Sequence, residues 1–251
     1  TEPPKTWEEL EADAKKLSDG TNVYGFGVQP ELARNYFIGE SLGGKIIKDN
    51  KANFGSPEVV KALQPLIDMH LKDKTVGQPS DVGANDTGEM FGQQKAAMVF
   101  EGPWDINYLK ETFPDVNYGV AELPTINNKK STMAYTVAYV MNKGSEHKEQ
   151  AWELIKFLTG KEGMKQWTEG GIALPTRKSV ADELGYDKDP LRAPFVKGAS
   201  YATVWQAGVN LPTIMQNFNN QFVSAFLGDQ PLDKALEHAQ KTANEEIEAN
   251  N

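Results

Sequence analysis

An α/β layered architecture is what this chain of 251 residues predicts, and three observations carry the prediction. The run FEGPW at 100–104, followed by VNYGVAELPT at 116–125, reads as a buried strand ending at a Gly-Pro turn, a short helix, and a second strand ending at Pro124. Segments with apolar residues at helical spacing alternate along the chain with short segments of alternating or continuous apolar residues. The composition, 39% hydrophobic and 24% charged, is that of an ordinary globular protein with ample chain for a core.

The elements follow in order. Thr6 and Glu9 form a T-x-x-E capping box, Leu10, Ala14 and Leu17 continue at helical spacing, and Asp19-Gly20 stops that helix. Residues 23–28 alternate as a strand. Residues 34–42 carry an aromatic helix closed by Gly43-Gly44. Ser56-Pro57 starts the next helix, with Val59, Val60, Leu63, Leu66 and Ile67 on one face. A loop rich in Gly, Asp and Asn over 78–87 leads into a short helix over 87–94 and a buried strand over 96–100. After FEGPW, residues 133–141 alternate and are rich in β-branched and aromatic types, which predicts a strand. Ser145 caps an amphipathic helix with Ala151, Trp152, Leu154, Ile155 and Leu158 inward, ending at Thr159-Gly160. Further helices are predicted over 161–169, 212–227 and 232–247. There is no internal repeat and no low-complexity tract.

Composition excludes several function classes. The net charge of −9, with Lys and Arg dispersed, argues against nucleic-acid binding, which needs a basic footprint. No apolar run approaches the ~18 residues of a membrane span. Cysteine is absent, which removes disulfides, thiolate catalysis and Cys-ligated metals. His70, His147 and His238 lie on predicted helices without metal-ligand spacing and read as surface residues. The pairs Glu8-Glu9 and Glu245-Glu246 read as solvated charge. No cofactor and no metal site is expected. Glu101 could serve as one half of a glycosidase carboxylate pair. Asp105 is too near in sequence to oppose it and no other partner is marked, so catalysis is not expected.

Binding chemistry is better represented. Trp104, beside Pro103 at the start of its helix, is a flat apolar plate with one N–H donor, a shape that suits sugar rings; a core position is the competing reading. Aromatic and amide residues gather in three loop-to-helix regions: Glu31, Arg34, Asn35 and Tyr36; Glu101 and Trp104; and Tyr201, Trp205, Met215, Gln216, Asn217 and Phe218. Amides, carboxylates and arginine can hydrogen-bond vicinal hydroxyls while aromatics cover ring faces.

Four segments, PPKTWEEL at 3–10, FEGPW, NYGVAELPT at 117–125 and GDQPLDKAL at 228–236, stand in the order found in extracellular solute-binding proteins of sugar ABC transporters. From Pro3 to about Ala243 the chain resembles this family, the maltose-binding-protein-like one. The resemblance implies a type II periplasmic-binding-protein lobe, a mixed sheet flanked by helices, and a second lobe joined by a hinge. It implies that residues 1–135 plus 181–251 form the second lobe, that 136–180 belong to the first, and that the N-terminal part of the first lobe is lacking. The apolar faces around Trp152 and Trp167 would then have no strands to cover them, at a cost of roughly 25 cal/mol per Å². Segment 136–180 is expected to pair with another chain, including a second copy, to fold back, or to be mobile. The competing reading is a complete small α/β domain.

Function follows from the resemblance as an expectation: the carbohydrate-binding subunit of an ABC importer, for an oligosaccharide of maltodextrin type, closing about a hinge and recognised by permease subunits. Its expected location is extracellular or periplasmic, free or held by a lipid upstream of Thr1. Carried over by position, Trp104 matches the sugar-stacking Trp of the GPW motif, and Glu31 falls where a cleft acid is found. Arg34, Asn35, Tyr36, Glu101, Trp205, Met215 and Asn217 complete the candidate ligand-binding set. Ala33 or Arg34 falls where a stacking Tyr is expected, and Met215 or Phe218 where a Trp is, which sets this chain apart from a strict maltose site. The rival readings are a binding protein of the same fold for a phosphodiester or polyamine, and a glycosidase.

Overall fold

The computed structural model describes residues 2–206 and 208–250. In chain order the helices are α1 (Trp7–Leu17), α2 (Leu32–Gly39), α3 (Pro57–Leu71), α4 (Thr87–Gly92), α5 (Trp104–Thr112), α6 (Lys148–Thr159), α7 (Lys161–Glu169), α8 (Lys178–Leu184), α9 (Ala193–Gly198), α10 (Leu211–Phe226) and α11 (Leu232–Ala249). The strands are short: β1 (Phe26–Gly27), β2 (Ile47–Lys48), β3 (Lys51–Ala52), β4 (Val76–Gly77), β5 (Thr132–Ala134) and β6 (Ala202–Val204). They form two parallel pairs, β1 with β4 and β5 with β6, and the antiparallel hairpin β2–β3, whose turn places Asp49 and Asn50 at positive φ. The chain is therefore mixed α/β, as expected, with less strand than expected.

Two compact units emerge. The first comprises Thr1–Phe100, Leu123–Ala134 and Tyr201–Asn251; the second comprises Glu101–Glu122 and Tyr135–Ser200. These compact units of the chain divide at positions other than 135/136 and 180/181, the lobe boundaries that the resemblance implies for the two-lobe protein.

The first unit holds the main core. Thr6 caps α1 by accepting from Glu9 N at 3.2 Å, while Glu9 reaches back to Lys5 N rather than to Thr6 N. Leu10 and Ala14 are buried as their spacing requires, but Leu17 faces outward at 42% exposure. Gly25 admits the α1 backbone, since a Cβ there would stand 2.0 Å from the Ala14 carbonyl oxygen. β1 lies between two parallel neighbours, β4 on one side and the stretch containing Ala96 and Val99 on the other, which makes only isolated bridges. Fully buried Phe218, Phe222 and Phe226, four residues apart, line the inward stripe of α10. The small residues Ala235, Ala239 and Ala243 of α11 are also fully buried. His70 departs from the surface reading: it stacks on Phe226 at 4.1 Å, with Nδ1 2.8 Å from the Val76 carbonyl.

The second unit has a smaller core, with Ile106, Leu109, Val180 and Tyr186 buried. The Tyr186 hydroxyl donates to the Thr168 carbonyl, and the Arg192 guanidinium lies 5.1 Å from the Tyr186 ring. Glu183 is held by Lys161 at 2.8 Å and Lys165 at 2.6 Å. Three sequence expectations fail in or beside this unit. The segment before Pro124 forms no strand, and pairing resumes only at the single bridge Thr6–Thr125. The strand expected over 133–141 is confined to β5, leaving Val137 at 99% and Val140 at 87% exposure. His147, not Ser145, is the N-cap of α6, and that helix buries no residue: Trp152 and Leu154, expected inward, are exposed, as are Phe157 and Trp167. A strand without a neighbour and a helix face without a layer beneath it share one physical origin, since both patterns need a partner surface to satisfy them.

Candidate functional site

Trp104 occupies the first turn of α5, in the second unit. Pro103 is already at φ −63°, so the helix starts without a side-chain cap. The indole lies against Gly102: a Cβ on that glycine would stand 2.2 Å from the ring. Its Nε1–H donates to Glu101 Oε2 at 3.2 Å, and the Gly102 N–H donates to the same oxygen at 3.3 Å. Tyr135 meets the ring edge-on at 6.2 Å. Trp104 keeps 37% of its surface exposed while its N–H edge is held by Glu101. A Trp held this way can offer an apolar plate without rotating, which is what stacking on a ring requires.

The remaining candidate residues lie in the first unit and fall into separate roles. Glu31 is the N-cap residue of α2, with its carboxylate accepting from Arg34 Nε at 3.3 Å. Asn35 is 2% exposed and donates to the Gln29 and Glu31 carbonyls, both at 2.8 Å, so its amide secures the loop entering α2. Tyr36 meets Trp205 edge-on at 5.7 Å. Burial raises the Tyr36 hydroxyl well above the usual phenol range, helped by the negative charge of Glu40 and a hydrogen bond to it. Met215 packs against the core, and Asn217 donates to the Thr213 carbonyl and to Glu246 of α11. Phe218, in the same sequence cluster, is fully buried core.

Two open hollows in the first unit separate these residues further. Tyr36 lines one of about 400 Å³ with Asp49, Asn50 and Gln206. Glu31 lines another of about 330 Å³ with Gln29, Gln78, Asn85 and Asn219. Sequence reading did not mark these last four, because isolated amides in loops and on a helix carry no periodic or motif signal. Among the described residues no cluster of three or more His, Cys, Asp or Glu could hold a metal ion, and no helix is long and apolar enough to cross a membrane.

With a fixed aromatic plate, amide-lined hollows and an α/β core in view, comparison with known proteins places the chain. Residues 1–194 match the family of bacterial extracellular solute-binding proteins, and the chain belongs to that family. Among its relatives is a binding protein of Brucella abortus (strain 2308), 29% identical over 250 residues that make up 94% of this chain and 59% of the relative. Another is a maltooligosaccharide ABC transporter solute-binding lipoprotein of Streptococcus pneumoniae, 29% identical over 215 residues, 77% of this chain and 48% of the relative. A crystal structure of a cyclo/maltodextrin-binding protein complexed with maltotetraose superposes with a TM-score of 0.82 at 24% identity, covering 98% of this chain and 66% of that one. The fold is that of the type II periplasmic binding proteins, and the chain spans about half to two thirds of the length of the proteins it matches.

Proposed function

We propose that this chain is the larger part of a carbohydrate-binding subunit of an ABC importer, taking an oligosaccharide of maltodextrin type outside the cytoplasmic membrane. The observation that carries the reading is the Trp104 indole, its N–H tied to Glu101 and 37% of its surface exposed, in a member of a solute-binding family. The name of the Streptococcus relative and the maltotetraose in the related structure supply the substrate class. In the whole protein, capture proceeds by hinge closure of two lobes, residues 1–135 plus 181–251 in one and 136–180 in the other, and the closed form is what the permease subunits recognise. Glu31, Arg34, Tyr36, Glu101, Trp205, Met215 and Asn217 are carried as the set from which further contacts come. Asn35 supports that set from within the α2 entry loop. Segment 136–180 is proposed to mediate self-association when its apolar faces have no other cover. Binding without turnover is the proposed activity.

Calorimetric titration with maltotriose tests the reading. Saturable binding that weakens about tenfold or more in Trp104→Ala, with the fold retained by circular dichroism, is the expected result. Hydrolysis of a chromogenic glycoside lost in Glu101→Gln, or equal affinity in Trp104→Ala, would overturn it.

A further inference from the structure

The hollow of about 330 Å³ in the first unit is chemically unlike an aromatic platform. Its lining includes Gln29, Gln78, Asn85, Asn219, Ser80 and Glu31, and holds no lysine, arginine or aromatic residue. One orientation in it is set by chemistry alone. Asn219 Oδ1 accepts the Leu32 N–H at 2.7 Å, and a backbone N–H can only donate, so the amide cannot be the other way round. The Asn219 Nδ2 end, with two donor hydrogens and no partner among the described residues, is left for the hollow. Other amides are pinned in the same manner. Gln78, 6% exposed, donates to Asp81 Oδ1 at 3.3 Å, and Asn85 donates to Glu89 Oε2 at 2.6 Å, which leaves Asn85 Oδ1 as an acceptor. Gln29 Oε1 is buried with no hydrogen-bond partner.

Charge decides the class of solute. Glu31 is the one charged residue of the lining, and an oxygen of its carboxylate already accepts from Arg34 Nε at 3.3 Å, whereas a polyamine calls for several free carboxylates. The lining offers no cation at all for a phosphodiester. What remains is a neutral set of fixed donors and acceptors, the complement of adjacent hydroxyls. The volume lies at the lower end of the roughly 300–1,000 Å³ of small-molecule sites, which suits one ring and not a chain.

We infer that this hollow takes one ring of a neutral polyhydroxylated solute by its hydroxyl edge, with Asn219 Nδ2 the donor that selects it. The inference rests on the sugar-binding reading above and adds Asn219 and Gln29 to it as specificity-determining residues. The test is an amide NMR titration with maltotriose, xylotriose and trehalose, repeated on two variants. Asn219→Asp keeps an oxygen acceptor for the Leu32 N–H and removes the donor. Gln29→Met removes the unpaired acceptor without touching a cap. The Asn219 side-chain amide should shift saturably with at least one sugar. Kd for that sugar should rise about 3- to 10-fold in each variant, as for one lost hydrogen bond, with melting temperature unchanged or higher. Shifts at the Trp104 indole with the Asn219 amide silent and both variants at wild-type Kd would overturn this inference and leave the sugar-binding reading intact. No saturable shift with any of the three sugars would overturn both.

Discussion

Gly102 and Trp104 act as one device. The glycine has ordinary backbone geometry, so its reason is contact: the indole covers the space a side chain would fill. Gly102→Ala should therefore displace the ring and leave the helix in place, because Pro103 sets the start of α5 from its N-cap position regardless. The expected outcome is a moved indole N–H resonance, weaker maltotriose binding, and an unchanged far-ultraviolet dichroism spectrum. Asp19 makes a second residue-scale prediction. Its Oδ1 accepts from Val23, Asn22 and Thr21 N–H groups at 2.7–2.9 Å, which lowers its pKa to about 2. A carboxyl depressed in the folded state adds stability that is complete above the unfolded pKa, ~3.9, and is lost as pH falls towards the folded value. Melting temperature measured from pH 5 to pH 2 should fall less steeply in Asp19→Asn than in the wild type. An identical slope would show that the turn does not depend on the charge.

At the scale of elements, α10 and α11 carry the first unit. Phe218 and Phe222 stack at 5.0 Å, Phe54 meets Phe218 edge-on at 5.4 Å, and the inward stripe of α11 sets the small Ala235, Ala239 and Ala243 among the buried Leu232, Leu236 and Ile247. Removing Phe222, fully buried in that stack, leaves a cavity that its neighbours cannot fill. Phe222→Ala should cost about 3–5 kcal/mol in urea unfolding, against less than about 0.5 kcal/mol for a change at exposed Asn220. These helices were legible from their 3.6-residue apolar spacing, with ends within about two residues of the observed ones. The strands were not. Residues 116–124 and 135–141 have the composition of strands, but a strand exists only when another backbone completes its hydrogen bonds.

The same argument at the scale of the whole molecule concerns α6 and α7. Trp152, Leu154, Phe157 and Trp167 each expose at least 50% of their surface, a concentration of apolar area that isolated surface residues do not produce. Burying such area returns roughly 25 cal/mol per Å². We expect the chain to self-associate through segment 136–180 in sedimentation velocity runs at rising concentration, and Trp152→Glu with Phe157→Glu to restore a monomer. A wild-type monomer at every concentration would sink the expectation. A charge change elsewhere, such as Lys234→Glu at an exposed position of α11, provides the control.

The sequence by itself determined the class of fold, the main helices and the resemblance to solute-binding proteins. Each of these is written in local spacing or in a contiguous motif. Tertiary structure decided the rest. It assigned Asn35 to its loop and Phe218 to the core, and it turned Glu31 and Tyr36, five positions apart in sequence, towards different hollows. It also brought Asn219 to the Leu32 N–H across 187 positions of chain. A side chain's task depends on which distant group satisfies its donor or acceptor, and sequence spacing does not record that pairing.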